Sequence, residues 1–370
     1  MKIYEREYFL GKILECSEAE LQKAKHEKDL DCVETTIPKK GGFRTIVSIN
    51  SGSVLERLQK NLQKNFFSKI SVSPAAKGFI KGSSYVDFLE EHIGHEYFLR
   101  LDIRNFFDSI SIESLKDNLA SFVVETKKEV LEENEEEKVD KAIIEDIVEL
   151  CTWKGKVPQG FITSPAISNI IFRRIDQRIR KYTRSYYKER KREIFYTRYA
   201  DDMLFSSVGF DFKEKKNFRG MISHILKQNG FSCNGRKTIF TKGEISLSGY
   251  VVREDVHLSR KKLRNINEVI YQFDKRSAYT RQKFKIDEAG IDIKQVLKDL
   301  NAKKMKKSDG SEIRFASVSS LVHYVAGYRS FLIQAARAEH DRTGFDKQIN
   351  KKIQKLEIIL DYLSKLLEEA

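Results

Sequence analysis

The sequence predicts an α+β fold, and three observations carry that expectation. Long stretches place apolar residues at helical spacing, two pairs of short β-rich runs bracket turn residues, and one apolar run, Tyr97–Ile103, reads as a buried strand.

Taken in order, Phe9, Leu10, Ile13, Leu14 and Leu21 give residues 5–30 the pattern of an amphipathic helix. Next, Val33-Glu-Thr-Thr-Ile37 and Phe43-Arg-Thr-Ile-Val-Ser-Ile49 flank Pro38-Lys-Lys-Gly-Gly42, which predicts a hairpin. Residues 54–70 return to helical spacing, and the strand at 97–103 follows. Residues 124–150 are strongly charged, with an acidic patch at 132–137, and predict a solvated helical insertion. Ser164–Arg180 reads as helix, with Pro165 suited to its first turn. The runs 194–199 and 203–208 make a second hairpin with Ala-Asp-Asp at its tip. Tyr250–Val252 is a short strand. From Val256 to Lys307 there are 15 Lys and Arg against 6 Asp and Glu at helical spacing, and helices are predicted at 315–337 and 345–368. With only four prolines no Pro-rich linker marks a boundary. The expected parts are 1–30, a helical extension; 31–255, a mixed core; and 256–370, a basic helical region.

Charge sets the class of partner. The 68 Lys and Arg outnumber 54 Asp and Glu, for a net charge of +14. Such a surplus favours a polyanion, because each phosphate contact releases condensed counterions. Cys16, Cys32, Cys151 and Cys233 form no CxxC pair and have no His at zinc spacing, which argues against a structural zinc or a disulfide framework. No apolar run approaches the roughly 20 residues that span a bilayer. The acids within the N-terminal apolar stretch are unlike a signal peptide. A cytoplasmic protein with reduced thiols and no membrane partner is expected.

The carboxylates point to chemistry. Asp102 ends the apolar strand, and Asp201 and Asp202 sit at the hairpin tip. An Asp-Asp pair in a turn is most often only a turn, and a charge ending a buried strand is costly unless compensated. Phosphoryl transfer to a growing strand uses two divalent ions, one at the attacking hydroxyl and one at the leaving pyrophosphate. Mg2+ takes hard oxygen ligands, so two or three carboxylates with substrate phosphates suffice.

The order of motifs then becomes specific. Phe195-Tyr-Thr-Arg-Tyr-Ala-Asp-Asp-Met-Leu-Phe-Ser206 resembles the central motif of bacterial retron-type reverse transcriptases. Leu101-Asp-Ile-Arg-Asn-Phe-Phe-Asp-Ser-Ile110 is similar to the motif carrying their first catalytic Asp, and Val157-Pro-Gln-Gly-Phe-Ile-Thr-Ser-Pro-Ala-Ile-Ser-Asn169 to their Pro-Gln-Gly motif. The resemblance covers residues 35–255 strongly and the last 115 weakly. It implies a right-hand polymerase: fingers, a palm built on a small antiparallel sheet flanked by helices, and a helical thumb. It also implies that Asp102, Asp201 and Asp202 are catalytic and, with Ile103, bind two Mg2+ ions, with Mn2+ as a substitute.

The same resemblance implies the supporting residues. Arg44 matches a fingertip arginine on the incoming triphosphate, with Lys39 and Lys40 in the turn beside it; a planar, permanently charged fork suits that work. Phe107 falls where the family places an aromatic under the nucleotide sugar, excluding a 2′-hydroxyl, while Phe106 reads as core. Gln159 would sit against the nucleotide, with Gly160 permitting close backbone approach. Lys237, within Cys233-Asn-Gly-Arg-Lys-Thr238, would lie near the pyrophosphate as a proton donor. Gly78-Phe-Ile-Lys-Gly-Ser-Ser84 resembles the segment along template and primer, which nominates Lys81 and Gly82 for phosphate contact. Arg260, Lys261, Lys262 and Arg264 are the basic residues expected to track nucleic acid from the thumb.

Two retron signatures are partial. Phe88-Leu-Glu-Glu-His92 keeps the His of Asn-Ala-x-x-His without the Asn-Ala, so His92 reads either as a nucleic-acid contact or as a structural histidine. Leu247-Ser-Gly249 stands where retrons carry Val-Thr-Gly, and Val322-His-Tyr-Val-Ala-Gly-Tyr-Arg-Ser-Phe-Leu332 looks like a retron thumb helix. After residue 255 there is no room for RNase H and endonuclease domains. Retron membership implies dNTP substrates, a structured non-coding RNA as template and primer, an RNA–DNA hybrid product, and an effector protein in anti-phage defence. Another defence-associated reverse transcriptase, or an RNA-binding scaffold that restrains an effector, stays open at this point.

Overall fold

In the computed structural model, the structure describes residues 3, 5–39, 42–123, 141–190, 193–284, 291–307, 310–336 and 345–368. The expected insertion is therefore seen only from 141 onward, and Lys40 lies outside the described residues.

The N-terminal helix predicted over 5–30 is broken into pieces. Arg6–Tyr8 (α1) runs into a π-helical turn over Phe9–Leu14, followed by Glu18–His26 (α2) and Lys28–Asp31 (α3). The break has a local cause. Glu15 turns left-handed at φ 53°, and Ser17 and Glu20 form a reciprocal capping box that starts α2 afresh. Cys32–Lys39 (β1) and Gly42–Ile49 (β2) form the predicted hairpin, antiparallel with Ile37 opposite Arg44. Val54–Asn65 (α4), capped by Ser53, buries Leu55, Leu58 and Leu62. Tyr85–Glu90 (α5) begins in another capping box at Ser84.

Tyr97–Asp102 (β3) precedes Ile112–Leu119 (α6) and Lys141–Cys151 (α7). Ser164–Arg190 (α8) runs ten residues past the expected end at Arg180. Phe195–Tyr199 (β4) and Asp202–Ser207 (β5) form the second hairpin, and Lys216–Lys227 (α9) leads to Ile239–Lys242 (β6). Ile245–Leu247 (β7), Tyr250–Val252 (β8) and Val256–Leu258 (β9) form a small antiparallel sheet, so the start of the region predicted as basic helix is strand. Alternating burial explains it: Val256 and Leu258 are buried about a half-exposed His257. Arg260–Phe284 (α10), Ile293–Ala302 (α11), Val318–Ala336 (α12) and Phe345–Glu368 (α13) complete the chain.

By contacts the chain divides into two compact units, residues 1–83 with 95–243 and residues 84–94 with 244–370. The first is built on the antiparallel sheet β4-β5-β3-β6, with one continuous apolar core. The N-terminal pieces reach that core through Phe9, Ile13, Leu14 and Leu21. The second contains the three-stranded sheet, α5 and helices α10 to α13. No helix among the described residues is long and apolar enough to cross a membrane.

Candidate active site

β3 and β5 bring the expected carboxylates together. In their antiparallel register Asp102 lies directly opposite Asp202, and such a pair points its side chains to one face with Cβ atoms roughly 5 Å apart. The tip is then clamped to the strand: the Ile103 amide donates to the Asp201 carbonyl at 2.9 Å. On the other side the Asn234 amide donates to the Asp102 carbonyl at 2.7 Å, which positions the turn carrying Lys237. Asp102, Asp201, Asp202 and Lys237 therefore converge from three segments of one unit.

Each acid meets a distinct electrostatic setting. Asp102 is buried and accepts from Lys237 Nζ at 2.8 Å. Asp202 is held through Oδ1 by Arg100, whose Nε lies at 2.9 Å and whose Nη2 also donates. Arg100 precedes Asp102 by two residues on β3, so it shares the face of the acids. Burial pushes the Asp202 carboxyl up to about 6, helped by the charges of Asp201 and Asp102 and opposed by Arg100. Asp201 is likewise raised, first by burial and then by Asp102.

Among the described residues no three His, Cys, Asp or Glu side chains are drawn tightly enough together to hold a metal ion. Lys237 holds one carboxylate and Arg100 another. The donor set still fits a hard divalent cation. It offers three carboxylates at one end of the sheet, and like charges raise one another until a cation relieves them.

The other expected residues fall into place unevenly. Phe106 is core, whereas Phe107 is half-buried, edge-on to Phe106 with ring centroids 5.3 Å apart. Gln159 is half-buried, and its carbonyl accepts from the Val47 amide of β2 at 2.7 Å. This docks the Arg44 hairpin on the Pro-Gln-Gly loop. Gly160 is obligatory there: at φ +112° a Cβ would stand 2.4 Å from the Val47 carbonyl oxygen. Buried Gln59 braces the same loop, accepting from the Ile162 amide and donating to the Leu150 carbonyl. Arg44 itself is exposed on β2, and Lys39 pairs with Gly42 at the hairpin's end. Lys81 and Gly82 are exposed in a turn, Gly82 at φ +83°.

In the second unit Arg260, Lys261 and Arg264 are exposed at the start of α10. Two expectations there need correction. Lys262 does not stand free for a phosphate: its ammonium lies 4.4 Å from the Phe331 ring centroid and 5.2 Å from that of Tyr328, and burial lowers its pKa. His92 is completely buried, so its imidazole suits a structural role within this unit rather than direct nucleic-acid contact.

Sequence reasoning passed over four residues. Arg100 carries a signal, a cation two residues before a strand-end acid. Phe79, at φ 62° and half-exposed, places its ring 6.3 Å from Phe107 and 6.4 Å from Tyr199, a placement no motif announces. Arg198 and Asp176 form a fully buried ion pair beneath the tip, visible only once α8 is packed on β4.

Comparison with known proteins shows the family. Retron Ec86 reverse transcriptase of Escherichia coli is 28% identical over 240 residues, covering 64% of this chain and 68% of that protein. Retron Mx65 reverse transcriptase of Myxococcus xanthus is 29% identical over 249 residues, covering 65% of this chain and 55% of its own length. Among solved structures, telomerase from Candida albicans with a telomeric RNA fragment aligns over 94% of this chain and 70% of its own at 14% identity and a TM-score of 0.42, too distant to carry an argument. The profile of the reverse transcriptase (RNA-dependent DNA polymerase) family matches residues 37–252, well over half of the 370-residue chain. With that match spanning all three carboxylates, the chain belongs to the reverse transcriptase family and is an RNA-directed DNA polymerase.

Proposed function

We propose that this polymerase is of the retron type and copies a cognate structured non-coding RNA into an RNA–DNA hybrid, within a bacterial anti-phage system that includes an effector protein. The observation that carries the catalytic part is the cross-strand pairing of Asp102 with Asp202, with Asp201 tied to Ile103. Several relatives named as retron reverse transcriptases support the class. In this reading residues 31–255 supply fingers and palm, 256–370 the thumb, and 1–30 an extension that completes the core.

Reverse transcriptases use divalent metal ions, and we assign two Mg2+ to Asp102, Asp201, Asp202 and the Ile103 carbonyl, with Mn2+ able to substitute. When bound, the ions supply activation of the attacking 3′-hydroxyl and charge neutralisation at the triphosphate. The protein's own residues do the rest. Arg44, with Lys39 and Lys40, binds the triphosphate, Gln159 and Phe107 bound the base and sugar, and Phe107 excludes a 2′-hydroxyl. Lys237 donates a proton toward the departing pyrophosphate. Lys81 and Gly82 lie along the template and primer, and Arg260, Lys261 and Arg264 track phosphates at a helix start that already attracts anions.

The test is to purify the protein from its host and sequence the nucleic acid that travels with it. A covalent RNA–DNA hybrid is expected. Free single-stranded or repetitive DNA would place the enzyme in another defence-associated group, and the absence of any DNA would remove the retron role.

A further inference from the structure

Beneath the Ala200–Asp201 tip, Arg198 is completely buried, the largest of the fully buried side chains. A buried guanidinium persists only when its donors are satisfied, and here all three nitrogens donate. Nε and Nη2 fork onto the Asp176 carboxylate at 3.0 and 2.9 Å, Nη2 also reaches Asn169 Oδ1 at 3.1 Å, and Nη1 donates to the Ala200 carbonyl at 3.2 Å. The guanidinium carbon lies 4.6 Å from the Phe172 ring centroid, and Tyr196 Oη donates to Asp176 Oδ1 at 2.7 Å.

The backbone of the same residue is fixed too. The Arg198 amide donates to the Ala75 carbonyl and its carbonyl accepts from the Lys77 amide, each at 2.7 Å. Asn169 Nδ2 donates to the Gly78 carbonyl at 2.9 Å, and a Cβ at Gly78 would come within 2.8 Å of the Ala200 amide nitrogen. The Arg198 guanidinium thus ties α8 to the turn, while its backbone and Asn169 hold the 75–78 segment against them. The residue it grips, Ala200, sits in the left-handed region at φ 54°, a conformation that needs outside support in a non-glycine residue. The next residue is Asp201.

We infer that Arg198 is a positioning residue, which through Asp176 and Asn169 fixes the left-handed Ala200 turn and thereby aims Asp201 at the metal site. This rests on the reading of Asp201 as a metal ligand. Arg198 touches no reacting atom. Its contribution is to remove freedom from the backbone that carries the ligand, and a shift of about 1 Å in such a group costs on the order of a hundredfold in rate.

The experiment separates positioning from mere stability by replacing the buried ion pair and the tyrosine on it with apolar groups. Asn169 keeps its bond to the Gly78 carbonyl and only its Oδ1 and the Ala200 carbonyl lose Arg198, so Arg198→Met/Asp176→Leu/Tyr196→Phe should fold. Arg198→Lys keeps the charge but cannot reach Asp176, Asn169 and the Ala200 carbonyl at once. Full-length wild type, Asp201→Asn and these two variants are titrated with Mn2+ followed by electron paramagnetic resonance. They are then assayed for dTTP incorporation on poly(rA)·oligo(dT).

In the folded triple variant, Mn2+ affinity should fall about tenfold and kcat about a hundredfold while the KM for dTTP stays within about threefold. Arg198→Lys should fall between it and wild type. If either variant, folded by circular dichroism, keeps wild-type Mn2+ affinity and kcat, the positioning role is overturned; should the triple variant not fold, Arg198→Lys decides. If Asp201→Asn binds Mn2+ as wild type does, the metal-site reading itself fails, and the inference with it.

Discussion

Gly160→Ala is the sharpest test of how the β1–β2 hairpin is held. At φ +112° an alanine adopts a sparsely populated backbone conformation, at a cost of about 1–3 kcal/mol. Its Cβ would stand 2.4 Å from the Val47 carbonyl oxygen and 2.8 Å from Ile46 Cγ2, so β2 must lift away. Overpacking of that kind costs about 1–3 kcal/mol, and lifting β2 loses the Val47–Gln159 hydrogen bond, worth about 1 kcal/mol. These overlap, because lifting the strand relieves the clash, and the net loss should be about 3–5 kcal/mol. For a unit of this size that lowers Tm by roughly 6–20 °C in a thermal melt. Since β2 carries Arg44 and the loop carries Gln159, the KM for dNTPs should rise about tenfold in the fraction that remains folded. An alanine variant with wild-type Tm and KM would refute the account of the loop.

Four further outcomes follow from the site. Asp201→Asn with Asp202→Asn should abolish Mg2+-dependent dNTP incorporation while RNA binding in a filter assay changes little; undiminished synthesis would remove the carboxylates from catalysis. Phe107→Ala should let ribonucleotides into the product, read by alkaline cleavage, and intact DNA after alkali would end its proposed role. In metal-free protein the stability of wild type relative to Asp202→Asn should fall as pH rises. The fold holds the Asp202 proton more tightly than the unfolded chain does, so the penalty is absent below about 3.8 and complete above about 6. That difference corresponds to about 3 kcal/mol, and a pH-independent gap in denaturant melts would contradict it. Replacing Arg260, Lys261 and Arg264 by Ala should weaken RNA binding regardless of sequence and flatten the dependence of log K on log salt by about one for each lost contact; an unchanged slope would exclude them.

Much of the site was legible because its logic is local. The hairpin holding Asp201 and Asp202 is announced by short apolar runs on both sides of a turn, and the β1–β2 hairpin by Lys-Gly between β-rich runs. Asp102 stands out because a charge ending an apolar strand is costly without a partner. The helical extents were less legible. α8 ran on past Arg180, and the predicted N-terminal helix broke at Ser17, where a capping box outweighed continuous apolar spacing. Val256–Leu258 was misread as helix because a three-residue strand offers too few positions for its period to show.

The sequence by itself determined which groups are present and roughly on which element each rides: one acid ending a strand and two at a hairpin tip, a fork-bearing arginine on a hairpin, a glutamine and glycine in one loop. It could do so because strand and turn signals depend on neighbours a few residues apart. Only the tertiary structure decided what those groups face. Register placed Asp102 opposite Asp202 and set Arg100 and Lys237 against them, while burial turned His92 inward and laid Lys262 over two rings. Arg198 is the clearest case, read along the chain as one more basic residue in a basic protein. Buried against Asp176, 22 residues earlier, it donates to the Ala200 carbonyl beside Asp201. Desolvation and pairing depend on distances in space that spacing along the chain does not encode.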